Sequence, residues 1–151
     1  MPKIYVDADA CPVKDEIVRV AERHQIMVHL VSNSGMPGFH GHPLVIQTVV
    51  SDGADVADDW ITEQIGAQDI VVTQDIPLAD RCIKKDARAI RPNGKILDRH
   101  SIGISLATRD LMTDLRSAGE ITRGPRAFAQ QDRSNFLQAL ETEVQAAMRG
   151  I

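Results

Sequence analysis

The sequence has few aromatic residues, few cysteines and no long apolar run. Aromatic residues make up 3% of its 151 residues, so a broad base-stacking surface like that of single-strand-binding proteins is difficult to build. The two cysteines form neither a CxxC pair nor a disulfide framework, which is typical of a reducing compartment. No run reaches the length of a membrane span and no signal peptide is evident. We therefore expect a cytoplasmic protein that contacts no membrane and forms a single domain over residues 1–151.

Charge is distributed unevenly along the chain. The net charge is −4, yet residues 1–80 hold 4 Lys or Arg against 13 Asp or Glu, and residues 81–151 hold 13 against 8. An acidic cluster that holds a metal ion, beside a basic surface that holds phosphate, would produce this division. The alternative is that both sets are solvated faces of helices.

Short runs rich in Val and Ile alternate with helical patterns, which predicts an α/β fold. The fold class expected is a three-layer α/β/α arrangement around a mostly parallel sheet, because such alternation covers both faces of a parallel sheet. Strands are predicted at Lys3–Ala8, Ile26–Ser32, Leu44–Val50, Asp69–Thr73 and Ala87–Arg91. Helices are predicted at Pro12–His24, Asp55–Ile65 and Pro77–Lys85, with C-terminal helices at about 100–118 and 132–148 packed on the domain.

Carboxylates follow two of the predicted strands. Asp7 and Asp9 end the first strand, and period-2 geometry sends both to one side of it. Asp75 lies in the turn after the strand that ends at Thr73. Carboxyl ends of parallel strands border the ligand crevice of such sheets. The alternative is helix capping, by Asp9 before Pro12 and by Asp75 before Pro77.

A third acidic motif lies in the predicted helix between these strands. Asp55, Asp58 and Asp59 are spaced i, i+3, i+4 and share a helix face, although the helix dipole could account for part of this pattern. A crevice of four or more carboxylates suits Mg²⁺ or Mn²⁺ and not zinc. Because such ions activate water and clamp phosphodiesters, the pattern predicts phosphodiester or phosphoryl hydrolysis.

Basic residues in the second half could bind the substrate's phosphates. The candidates are Lys84, Lys85, Arg91, Lys95, Arg99, Arg123 and Arg126. Cys11 precedes a predicted helix start, where thiol pKa falls, but no phosphate-binding loop follows it. A packed thiol is therefore expected at this position.

Several segments together carry a family resemblance. DADACPVK at 7–14, GADVADDWI at 53–61, VVTQDIPLA at 71–79 and the later GPRAF and DRSNF resemble, in the same order, the YaiI/YqxD family of uncharacterised bacterial proteins. The resemblance implies a PIN-like domain, a fold whose members are often Mg²⁺-dependent ribonucleases. By position, it places the acidic site on Asp7, on Asp58 or Asp59, and on Asp75. A further acidic residue common in such nucleases has no clear counterpart at Asp80 or Asp98.

The resulting hypothesis is a metal-dependent nuclease that acts on RNA or another single-stranded nucleic acid. Its catalytic residues would be Asp7, Asp58 and Asp75, with Mg²⁺ or Mn²⁺ bound by these three together with Asp9 and Asp59. Supporting roles are expected for Asn33, Asp55 and Arg133.

Two rival hypotheses remain open. One is an aspartyl phosphatase of haloacid-dehalogenase type, because a strand followed by DxD also opens that site. In that family, however, the paired aspartates come late in the chain, whereas Asp58 and Asp59 precede Thr73 here. The other rival is a non-catalytic module that binds nucleic acid or nucleotide.

Overall fold

A six-stranded sheet forms the centre of the molecule. The computed structural model describes residues 2–8, 11–33, 42–51, 55–104 and 129–150. The strand order is β3-β2-β1-β4-β5-β6, and all neighbouring pairs are parallel except β5 and β6. The strands are β1 (Ile4–Asp7), β2 (Val28–Ser32), β3 (Val45–Val49), β4 (Ile70–Val72), β5 (Arg88–Ile90) and β6 (Ile96–Leu97).

Helices cover both faces of this sheet and complete a three-layer α/β/α fold. One face carries α1 (Lys14–His24) and α5 (Gln130–Met148), and the other carries α2 (Val56–Gln64), α3 (Ile76–Ile83) and the helical residues 99–104, here called α4. Within the ranges that the structure describes, no helix is both long and apolar enough to cross a bilayer.

Alternation along the strands divides the apolar side chains between two cores. Ile4 and Val6 of β1 face α1 and α5, where Phe136 and Leu140 are fully buried. Tyr5 faces the opposite layer, with Ile61 of α2 among its neighbours in the second core. Both faces of the central strands are thus buried, which is why they read as continuous apolar runs.

Three aromatic rings form a cluster under α2. The Tyr5 ring stacks on His29 with centroids 4.8 Å apart, and Trp60 lies tilted 6.2 Å from Tyr5 and 6.0 Å from His29. The Tyr5 hydroxyl donates to the Gln64 carbonyl at the end of α2. Burial lowers the pKa of His29, so its ring is held in the neutral form. The cluster fixes α2 on β1 and β2.

A tight turn joins β5 to β6. Arg91 N donates to Lys95 O at 2.8 Å, and Gly94 N donates to Arg91 O at 2.9 Å. Gly94 has a φ of +93°, and a Cβ there would lie 2.7 Å from the carbonyl carbon of Asn135 in α5. Only glycine satisfies both the left-handed backbone and this close approach.

The predicted fold class is confirmed, and the differences lie at element boundaries. Five predicted strands and four predicted helices are present with ends shifted by at most two residues. The sequence did not indicate β6, whose two residues are too few for a periodic signal. The first helix begins at Lys14, later than the predicted Pro12. Of the predicted helix 100–118, the part beyond residue 104 lies outside the described residues.

Strand order reverses beside β1. The chain runs from β1 outward through β2 to β3, then returns to place β4 on the other side of β1 and continues to β5. In open α/β sheets, the crevice at the carboxyl ends of the two strands flanking such a reversal is the usual ligand site. Here those strands are β1 and β4.

Candidate functional site

Two carboxylates meet where β1 and β4 end. Asp7 is the last residue of β1, and Thr73 and Asp75 follow β4, its parallel neighbour. The Thr73 hydroxyl donates to Asp7 Oδ2 at 3.2 Å and accepts from Asp75 N at 2.9 Å. Asp75 also caps α3, because its Oδ1 accepts from Leu78 N at 3.0 Å. Capping and site roles therefore coincide at Asp75.

Asp58 joins this pair from the first turn of α2. Its pKa is raised to about 6, chiefly by burial and then by the nearby Asp75 and Asp7 carboxylates and a hydrogen bond with Asp75. The dipole at a helix N-terminus favours a carboxylate by about 0.3–1 kcal/mol. Burial and like-charge repulsion outweigh that contribution here. Asp58 thus changes its protonation state near neutral pH.

The structure separates Asp58 from the adjacent Asp59. Asp59 Oδ1 accepts from Arg81 Nη1 of α3 at 3.0 Å, and both side chains are exposed. Asp55 is the N-cap residue of α2 and contributes repulsion to Asp58, but its side chain makes no capping hydrogen bond. Of the predicted ligands, the structure therefore brings together Asp7, Asp58 and Asp75. Asp9 lies outside the described residues.

All the donors in this cluster are oxygen atoms. Carboxylates and a threonine hydroxyl are hard ligands that suit Mg²⁺ or Mn²⁺. Within residues 2–8, 11–33, 42–51, 55–104 and 129–150, no group of three or more His, Cys, Asp or Glu side chains is arranged to hold a metal ion. The described donors fit an ion held by one or two carboxylates, with water and substrate phosphate as its remaining ligands, which is common for Mg²⁺.

The predicted phosphate-binding residues lie at both ends of the sheet. Lys84 and Lys85 follow α3 and precede β5, so they lie at the end opposite Asp7. Lys84 pairs with Asp80, Lys85 donates to the Thr62 carbonyl, and Arg99 pairs with Asp86.

At the end that carries Asp7 are Arg91, which directly follows β5, and Lys95, which shares its turn. Arg123 and Arg126 lie outside the described residues.

The residues predicted to have supporting roles make structural contacts. Asn33 Nδ2 donates to the Ser51 carbonyl and links the segments that follow β2 and β3. Arg133 donates to the Pro12 carbonyl at 2.7 Å and pairs with Glu16, which ties α5 to the start of α1. Thr73 is a site residue that was not predicted from the sequence. Its position at a strand end, two residues before Asp75, is the signal that could have indicated it.

Both thiols are expected to be unreactive in the folded protein. Cys11 and Cys82 are buried, and burial raises their pKa values to about 11 and about 12. Because the thiolate is the reacting species, a chromogenic disulfide reagent at pH 8 should modify both slowly in buffer and rapidly in denaturant. Fast modification of Cys11 in the native protein would contradict this and would restore it as a candidate nucleophile.

Comparison with known proteins shows the family of the chain. The sequence model described as "Uncharacterized BCR, YaiI/YqxD family" matches residues 5–146. The UPF0178 protein of Parvibaculum lavamentivorans is 58% identical over 99% of this chain and 97% of its own. The UPF0178 protein of Rhodospirillum rubrum is 53% identical over 98% of this chain and 99% of its own. No solved structure matches. The chain belongs to the YaiI/YqxD family.

Proposed function

We propose that this protein is a metal-dependent hydrolase of phosphodiesters in single-stranded nucleic acid, with RNA as the first candidate. The observation that carries the proposal is the meeting of Asp7, Asp58 and Asp75 at the reversal of strand order, where burial and, after it, repulsion between the carboxylates raise the pKa of Asp58. Carboxylates gathered at a ligand crevice repel one another unless a proton or a cation neutralises them. The family resemblance implies a PIN-like domain, in whose nucleases acidic residues occur in this order, and this expectation favours the same activity.

Asp58 and Asp75 would hold a Mg²⁺ or Mn²⁺ ion, with Asp7 as a water-mediated ligand. When bound, the ion supplies neutralisation of phosphate charge and an acidified water molecule. Binding of the ion would then neutralise the repulsion between the three carboxylates. Protons would compete with the ion for the same cluster. Cation affinity should accordingly fall as the pH drops below about 6.

The protein's own groups have distinct roles in the proposed reaction. Thr73 orients the Asp7 carboxylate through its hydroxyl, and the backbone of α3 fixes one oxygen of Asp75. A carboxylate oxygen of the cluster that does not contact the ion would accept the proton of the attacking water, as a general base. The leaving oxygen takes a proton from solvent.

The test is cleavage of single-stranded RNA with and without Mn²⁺. We expect cleavage that EDTA abolishes and that Asp7→Asn or Asp75→Asn reduces by about a hundredfold or more. Asparagine remains a good N-cap residue, so Asp75→Asn should keep α3 intact. Asp59→Asn is the matched control, because it makes the same charge change one residue from Asp58 but at a side chain paired with Arg81.

Three outcomes would overturn the proposal. Cleavage that persists in EDTA and is unchanged in the Asp7 and Asp75 variants would show a contaminating activity. RNA binding without product, at every metal concentration tried, would favour the non-catalytic alternative. Phosphate trapped covalently on Asp7 would favour the aspartyl phosphatase.

A further inference from the structure

Arg91 lies at the same edge of the sheet as the carboxylate cluster. The β4–β5 register pairs Val72 with Ile90, so the next pair in parallel order is Thr73 and Arg91. Thr73 N donates to Ile90 O at 3.2 Å, which continues the ladder to this point. Arg91 is therefore one strand from Thr73 and two strands from Asp7, or about 10 Å at the usual strand spacing.

The side chain of Arg91 differs from comparable arginines. Three arginines in the described part of the chain are half-buried: Arg88, Arg91 and Arg133. Arg88 pairs with Glu143, and Arg133 pairs with Glu16. Arg91 has no carboxylate partner among the described residues, and its buried Nε has no hydrogen-bond acceptor there. A buried donor without an acceptor is unfavourable, so a ligand that supplied an acceptor would relieve this penalty.

The backbone of Arg91 is held rigidly. Its N–H and C=O groups both bond within the turn to β6, through Lys95 and Gly94. Gly94 in turn lies directly against the backbone of α5 at Asn135. The side chain of Arg91 consequently extends from a fixed backbone position, which reduces the entropy lost when it binds an anion.

We propose that Arg91 is the phosphate-binding residue of this crevice and that it holds a backbone phosphate of the single-stranded nucleic acid. The identity of the ligand rests on the proposed function. A polyanion approaching Asp7, Asp58 and Asp75 alone would be repelled, so the site needs a cation on the substrate side. Arginine serves well because its charge is permanent and its donors match phosphate oxygens in pairs. Lys84, Lys85 and Arg99 cannot serve from the other end of the sheet.

The test measures binding without catalysis. A fluorescein-labelled single-stranded RNA is titrated with protein in EDTA, between about 50 and 200 mM salt. We expect Arg91→Gln to weaken binding at least fivefold. The negative slope of log K against log salt should become less steep by about 0.7, the value for one phosphate contact on a single strand. Arg91→Lys should keep the slope and recover part of the affinity.

Arg99→Gln is the matched control, because it removes the same charge at the other end of the sheet and should leave the slope unchanged. The melting temperature of Arg91→Gln should not fall, since no ion pair of the described residues is lost; if it does fall, Arg91→Lys alone decides. An unchanged salt slope in Arg91→Gln, or no RNA binding by the wild-type protein, would overturn the assignment.

This experiment separates the two proposals. The protein could fail to cleave RNA while Arg91→Gln still changes the salt slope as expected. That result would overturn the nuclease proposal and support Arg91 as the phosphate contact. Metal-dependent cleavage with no effect of Arg91→Gln on the slope or on KM would overturn the role of Arg91 alone.

Discussion

Asp58→Asn is expected to stabilise the protein at pH 8 while it weakens binding of Mn²⁺ by tenfold or more. The folded protein raises the pKa of Asp58 from 3.8 to about 6. A raised carboxyl pKa means that folding favours the protonated form, so the stability contributed by this group is greatest below pH 4 and falls as the pH rises towards 6. Asparagine removes the penalty that the charged form carries above that pH.

The size of this gain is limited by solvent. A shift of two pKa units corresponds to about 3 kcal/mol, but Asp58 is only half-buried, and screening reduces the effect to about 1–2 kcal/mol. Urea unfolding of both proteins at pH 4 and pH 8 measures it. The free energies of unfolding should agree at pH 4 and diverge at pH 8.

A divalent cation is expected to offset the same charge penalty in the wild-type protein. Mn²⁺ should raise the melting temperature of the wild-type protein more at pH 8 than at pH 5, because bound ligand stabilises the folded state by mass action and protons compete with it at low pH. The shift should nearly vanish in Asp58→Asn and persist in Asp59→Asn. A variant that is less stable than wild type at pH 8 would contradict the repulsion on which the site is argued.

Gly94→Ala is expected to destabilise the protein by about 2–4 kcal/mol, since overpacking against a backbone costs about 1–3 kcal/mol and a left-handed residue with a Cβ about 1–2. The added Cβ would lie 2.7–2.9 Å from three backbone atoms of Asn135 and Phe136 in α5. Backbone atoms cannot rotate away as a side chain can. At about 2–4 °C per kcal/mol for a chain of this size, the melting temperature should fall by about 5–15 °C.

Gly103→Ala provides the matched control. Gly103 lies in α4, and no atom of the described residues comes within 4 Å of the position of an added Cβ. Alanine in an unobstructed helical position is more favourable than glycine by about 0.5–1 kcal/mol, so this variant should be slightly more stable. Equal effects of the two substitutions on the melting temperature would show that Gly94 does not pack closely on α5.

Much of the sheet could be predicted because its strands are buried on both faces. Such strands appear as short Val- and Ile-rich runs, and β2 and β4 were located by this pattern alone. Their neighbours in the sheet could not be read from the sequence. The adjacency of β1 and β4, which brings Asp7 to Thr73 and Asp75, depends on the path of the chain between them.

The site was predicted in outline, and its details depend on residues distant in sequence. Strand ends indicated Asp7 and Asp75. The choice between Asp58 and Asp59 depends on the rotation of α2, which is set in part by Arg81, 22 residues further along the chain. The lack of a carboxylate partner for Arg91 within the described residues likewise becomes visible only in the structure, where the other half-buried arginines of those residues, Arg88 and Arg133, pair with Glu143 and Glu16. Composition and spacing carry no record of such pairings.

The aromatic cluster under α2 gives this protein a built-in optical probe. Trp60 is the only tryptophan in the chain, it lies two residues after Asp58, and its indole contacts the rings of Tyr5 and His29. Indole emission depends on the rings and charges around it, so a ligand that shifts α2 would alter its intensity or wavelength. Titrations of cation and oligonucleotide can therefore be followed by intrinsic fluorescence, without a label and without a substitution near the carboxylates.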